Sequence, residues 1–175
     1  MQNIVGSFQN YKSVADKKKE ITSKVFDGQS FIHNSHDLAA YTVSLILFIE
    51  SLGVKMSPYP IVDFTTDDKY SNDLLGLTGN FLDEQGIFYI WTTGRHVKDI
   101  MRSVAHELVH HNQYLNGVTL SSSEVEKYND PYWEVKEIYL KEWEEYSYME
   151  GDAFLRGNML FRSWTDAIKQ GLVQL

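Results

Sequence analysis

Between positions 97 and 113, apolar residues recur every three to four places: Ile100, Met101, Val104, Leu108 and Val109. That is the period of an amphipathic helix. Taking His106 as origin at about 100° per residue, Met101, Val104 and Leu108 fall roughly opposite, while His110 lies about 40° away. The spacing predicts a helix with one face on a core and the other displaying two histidines. Asn116-Gly117 supplies its stop. Upstream, positions 38–49 form the most apolar stretch of the chain, read as a buried scaffold helix capped by His36-Asp37 and ended by Gly53. Pro58 and Pro60 then break the chain. Three short strands are predicted between the two helices, at 61–64, at 77–82 around Gly79, and at 87–91. The last two are joined as a hairpin through the turn at 83–86.

The flanks read differently. Residues 1–30 are polar, with Lys17-Lys18-Lys19 as a solvated charge run, and are expected to form an N-terminal arm or loosely packed helix. Beyond Gly117 comes a polar loop containing Ser121-Ser122-Ser123. Asn129-Asp130-Pro131 then starts a helix, with Asp130 as cap and Pro131 in the first turn. A long helical pattern follows to about Arg156, with a break expected near Gly151 or Gly157 and a last helix over 162–170. The order helix, strands, helices predicts an α+β fold over 31–175. Its expected form is a small antiparallel or mixed sheet packed on the histidine helix, with a scaffold helix before it and long helices after it.

Composition narrows the chemistry. At 175 residues the chain suits one domain, and 43% hydrophobic with 14% aromatic residues is the composition of a folded protein. A net charge of −8 argues against a nucleic-acid surface, which would be built from Lys and Arg. No stretch is long and apolar enough for a membrane span, and no signal-peptide pattern opens the chain, so a cytoplasmic protein is expected. There is no cysteine, so thiolate metal sites and disulfides are excluded and any metal must be held by His and carboxylate.

The histidine helix spells His106-Glu107-Leu108-Val109-His110. On a helix, H-E-x-x-H puts two imidazoles on one face, within reach of one ion, and the Glu beside them. In zinc peptidases that use this arrangement the Glu is the general base. The competing reading is a pair of core histidines on an amphipathic helix. Two histidines leave a catalytic zinc one protein ligand short. His111 sits about 140° from His106 and cannot share its ion; His33, His36 and His96 have no such constraint. Among the acidic residues of the C-terminal helix, Glu150 lies within about 40° of Tyr139, Trp143, Tyr146, Phe154 and Gly157. Glu144 and Glu145 lie more than about 100° away and Glu142 about 80° away. Glu150 therefore shares an aromatic stripe expected to face the core, where a carboxylate needs a partner or a cation. A salt bridge to Arg102 or Arg156, or a stripe that stops before Glu150, would serve as well.

His106-Glu107-Leu108-Val109-His110-His111, followed by Glu150-Gly151-Asp152-Ala153-Phe154, resembles the gluzincin metallopeptidases, and among them the compact minimal-gluzincin and ImmA/IrrE-like members. The stretches Gly76-Leu77-Thr78-Gly79-Asn80-Phe81 and Gly86-Ile87-Phe88-Tyr89-Ile90 resemble their hairpin. The similarity spans about residues 60–160. It implies a zincin-like fold, Zn2+ held by His106, His110 and Glu150, and no further cofactor. It also implies that Glu107 serves as general base and then general acid in hydrolysing a peptide bond. The expected partner is a protein or peptide substrate, with no nucleic acid and no membrane, and the 87–91 strand is a candidate edge for pairing an extended peptide. Tyr146, Tyr148 and His111 are candidate donors to the oxyanion. Two departures stand out. Gly151 replaces an alanine common in the family, and Phe154 stands where thermolysin-like enzymes carry an Asp supporting a histidine ligand, so no such support is identified. The alternative is a metal-binding or catalytically degenerate relative acting as a regulatory or structural binding module.

Overall fold

Helix α2 (Ser35–Ser51) is apolar nearly all round, which only a helix surrounded by protein can afford. Leu45, Ile46 and Ile49 are fully buried, and Thr42, equally buried, returns its hydroxyl to the Leu38 carbonyl at 2.8 Å. The computed structural model describes residues 11–26, 35–71, 77–79, 86–117 and 140–175, and side chains over 14–26, 37–71, 86–117 and 149–175. Around α2 stand α1 (Tyr11–Val25), α3 (Val97–Leu115) and α4 (Leu140–Lys169), with strands β1 (Ile61–Thr65), β2 (Leu77–Gly79) and β3 (Ile87–Trp91). The fold is α+β.

The sheet runs β1-β3-β2. β1 pairs with β3 in parallel, Val62 opposite Phe88 and Phe64 opposite Ile90, so a purely antiparallel sheet is excluded. β2 runs antiparallel to β3, Thr78 opposite Phe88. The rest of the expected second strand, with its turn through 85, lies outside the described residues. One correction follows directly. β3 is the middle strand, with Ile87 to Tyr89 paired on both sides, so it is not an edge on which a peptide could pair. Alternation puts Val62, Phe88 and Ile90 on the buried face.

Two further expectations change. The N-terminal helix is not loosely attached: Ile21 and Val25 are fully buried and Phe26 stacks on Phe64, ring centroids 6.2 Å apart. The break expected near Gly151 or Gly157 does not occur, because Leu140–Lys169 is one continuous helix. The helix start at Asp130-Pro131 lies outside the described residues. α4 buries Ala153, Phe161, Trp164 and Ala167, and Trp164 Nε1 donates to Ser44 Oγ on α2 at 3.1 Å. Phe154, expected inward, is 56% exposed. The inward line thus keeps Gly157 from the predicted stripe but runs through Ala153 instead of Phe154.

No helix among the described residues is long and apolar enough to cross a membrane.

Candidate metal centre

His96 caps α3, its Nδ1 accepting the Lys98 backbone N–H at 3.1 Å. That use fits a cap and takes His96 away from the other histidines. From Ser103 to Gln113 every residue of α3 is buried, because the sheet and α2 take one side and α4 the other. The helix face that carries the histidines is therefore covered by α4 and not open to solvent. His106 is 5% exposed, Glu107 2% and His110 7%.

The closeness of α4 is set by Gly157. A Cβ built there would lie 3.0 Å from His106 Cα and 3.1 Å from His106 N. Any side chain there would force the two backbones apart by a few tenths of an ångström. Two turns towards the N-terminus of α4, Glu150 then reaches the histidine pair. Its Oε2 is 3.4 Å from His106 Nε2 and its Oε1 3.3 Å from His110 Nε2, while the two Nε2 atoms are 3.1 Å apart. The salt-bridge alternatives for Glu150 are occupied elsewhere: Arg102 pairs with Asp99 at 2.8 Å and Arg156 with Asp152 at 2.7 Å. Among the described residues, His106, His110 and Glu150 are the group that could hold an ion.

These three separations are a test of fit. Tetrahedral ligands with bonds of about 2.0–2.1 Å stand about 3.3–3.4 Å from one another. The two Nε2 atoms, 3.1 Å apart, and the nearest Glu150 oxygen to each, Oε2 at 3.4 Å and Oε1 at 3.3 Å, come near that spacing, with the two carboxylate oxygens each facing one imidazole. The donor types, two imidazoles and a carboxylate, match as well.

The His110 tautomer follows from its neighbour. Gln113 Nε2 donates to Met149 O at 3.0 Å and to Asp152 Oδ2 at 2.9 Å, so the amide oxygen is the atom that faces His110 Nδ1, at 2.8 Å. His110 therefore carries its proton on Nδ1 and turns the Nε2 lone pair to the centre. There it meets a carboxylate, an arrangement that requires a proton or a cation in between. Burial disfavours a charged His110, but the Glu150 carboxylate and the charge of Glu107 outweigh it and raise its pKa above the ordinary value. For Glu150, burial pushes the pKa up, yet the two imidazoles outweigh it and bring it down to about 2. Both shifts express one property: the cluster attracts positive charge.

Gln113 is the support that sequence reasoning missed. Its signal was present, since it lies one turn after His110 on the same face. His111 goes the other way. Its Nε2 donates to Met56 O at 3.0 Å and to Pro58 O at 2.8 Å, and its ring packs edge-on to Phe88. Burial keeps it neutral, with its pKa lowered. With that donor engaged, His111 is no candidate for stabilising an oxyanion. Tyr146 and Tyr148, like Glu142, Glu144, Glu145 and Trp143, have side chains outside the described set, and Tyr139 and His33 lie outside the described residues.

Comparison with protein-family models, curated proteins and solved structures finds no match.

Proposed function

We propose that the protein is a zinc-dependent peptidase of the gluzincin type, with His106, His110 and Glu150 as ligands and Glu107 as the general base. The observation that carries this reading is the convergence of His106 Nε2 and His110 Nε2, 3.1 Å apart on an H-E-x-x-H helix, with the Glu150 carboxylate, whose two oxygens lie 3.4 and 3.3 Å from them. Zinc in such a site supplies a Lewis acid that polarises a peptide carbonyl and makes a water more acidic.

The chain's own residues have distinct tasks. Glu107 is buried beside His110 and contributes charge there without belonging to the ligand group. As general base it takes one proton from the attacking water while the water oxygen bonds to the carbonyl carbon. As general acid it returns that proton to the amine nitrogen when the C–N bond breaks. Glu150 keeps 40% of its side-chain surface exposed while the imidazoles are buried, so solvent and substrate approach from the Glu150 side. The intact Glu107 favours a peptidase over a module that only binds metal, which has no need of a base.

Glu107→Gln in the zinc-loaded protein tests the reading. The amide is nearly isosteric but cannot take the proton, so metal content and melting temperature should persist while peptide hydrolysis falls by about 100-fold or more. Hydrolysis at the parent rate by this variant would reject the mechanism.

A further inference from the structure

We infer that Gln113 is the positioning residue of the centre, serving two ligands through one amide. This rests on the metal-site reading above and adds to it a residue outside the ligand set.

Gln113 is 4% exposed, and its amide is engaged at both ends. Its oxygen accepts from His110 Nδ1 at 2.8 Å. Its nitrogen donates to Met149 O and Asp152 Oδ2, at 3.0 and 2.9 Å. Met149 and Asp152 flank Glu150 in sequence. The side chain that orients one ligand's ring therefore also ties down the helical turn that presents the third ligand. Only one amide orientation works. A flipped amide would set its oxygen against a carbonyl and a carboxylate, neither of which can donate to it.

Asp152 is itself held. Arg156 donates to it through Nε at 2.8 Å and Nη2 at 2.7 Å, and reaches back to Asn112 Oδ1 at 3.2 Å. Asn112 in turn donates to Lys55 O at 3.0 Å. The chain of contacts from His110 thus ends on backbone carbonyls of two separate segments, which makes it a rigid support. His106 lacks such support: its Nδ1 is buried with no hydrogen-bond partner among the described residues. Its place comes from the backbone packing against Gly157. The two imidazoles are therefore positioned by different means, and only His110 has its tautomer set by a side chain.

Three full-length variants test this: Gln113→Met, similar in size but without an acceptor; Gln113→Glu; and Gln113→Glu combined with Asp152→Asn. Two readouts are needed. The first is the slowly exchanging His110 Nδ1–H resonance in nitrogen-15 spectra of the metal-free protein. The second is the dissociation constant for zinc alone, measured by chelator competition, with circular dichroism as the check on folding. Gln113→Met should lose the resonance and bind zinc about 10–100-fold more weakly. Gln113→Glu keeps the acceptor but faces Asp152 and the Met149 carbonyl with a second carboxylate, so it too should weaken binding. Adding Asp152→Asn restores a donor to that carboxylate at unchanged net charge and should recover much of the loss. A merely structural residue would show no such rescue. If Gln113→Met does not fold, the glutamate pair decides alone. An unchanged resonance and unchanged zinc affinity in Gln113→Met, or no recovery in the double variant, would overturn the proposal. Failure of the parent to take up zinc would instead reject the metal reading, and the resonance would still decide the role of Gln113.

Discussion

Gly157 and His106 meet backbone to backbone: a Cβ on Gly157 would stand 3.0 Å from His106 Cα, with the backbone nitrogen at 3.1 Å. Nothing there is the flexible end of a side chain, so neither partner can step aside. Gly157→Ala must shift α4 from α3 by a few tenths of an ångström at the histidine pair. Overpacking of this kind typically costs about 1–3 kcal/mol. Because Glu150 rides on the same helix, zinc affinity should fall with stability. Gly151 provides the contrast, since a Cβ there meets nothing within 4 Å. Gly151→Ala should stabilise the helix by about 0.5–1 kcal/mol. Urea unfolding of both variants checks the pair, and the same sign for both would refute the packing argument.

Adjacent histidines should separate cleanly by mutation. His110→Ala should abolish zinc binding and leave a folded protein. His111→Phe removes the donor shared by Met56 O and Pro58 O, and an unsatisfied buried carbonyl costs about 1–3 kcal/mol. Its zinc affinity should stay within a few-fold of the parent, since its ring faces away from the centre. Thermal melts and zinc titrations of the two variants give the answer. Loss of zinc in His111→Phe with an intact fold would mean that the two histidines have been assigned to the wrong tasks.

The contrast between these histidines shows what could be read from sequence. Angular position alone separates His111 from His106, and the same arithmetic points to Glu150 among four glutamates of one helix, the side chains of the other three lying outside the described set. Local pattern also placed α2 by its apolar content, α3 by its period, and β1, β3 and the described part of β2. What it missed depends on contacts between distant segments. Glycine signals a helix break by its intrinsic propensity, but at Gly157 the lack of a side chain serves close packing, and α4 continues through it. Phe154 and Gly157 both fell on the expected stripe, yet the true inward line keeps only Gly157 of the two and passes through Ala153, a small residue that a hydrophobic pattern undervalues. The pairing order of the sheet, which makes β3 central, is likewise set by a parallel partner 26 residues away along the chain (Ile61 with Ile87).

The metal-free protein should carry a pH signature of the cluster. Glu150 has its pKa lowered from 4.5 to about 2. A depressed carboxyl contributes stability that is present above its unfolded value and lost as pH falls through the folded one. His110 has its pKa raised above 6.5, so its contribution is present below that value and lost as pH rises through the raised one. The two windows overlap between about pH 4.5 and 6.5. In chelator, the melting temperature of the parent should exceed that of Glu150→Gln most within this window and converge with it on either side. A difference that stays constant from about pH 3 to 9 would show that the charges do not interact.

Zinc itself should stabilise the fold through these three ligands and not through Glu107. A ligand that binds only the native state at about 100 times its Kd adds about 2.7 kcal/mol. For a chain of this size, 1 kcal/mol moves Tm by about 2–4 °C, so the expected rise is about 5–11 °C. Removing Glu150 takes away the carboxylate whose oxygens lie 3.4 and 3.3 Å from the imidazoles, leaving two imidazoles on one helix. Glu150→Ala should therefore lose most of the zinc-induced rise, as should His106→Ala and His110→Ala. Glu107→Gln keeps all three proposed ligands and should keep the rise. Differential scanning fluorimetry of stripped protein with and without zinc compares all four. An equal rise in the parent and in Glu150→Ala would remove Glu150 from the site. A rise lost in Glu107→Gln would make Glu107 a ligand, leaving the site without its base.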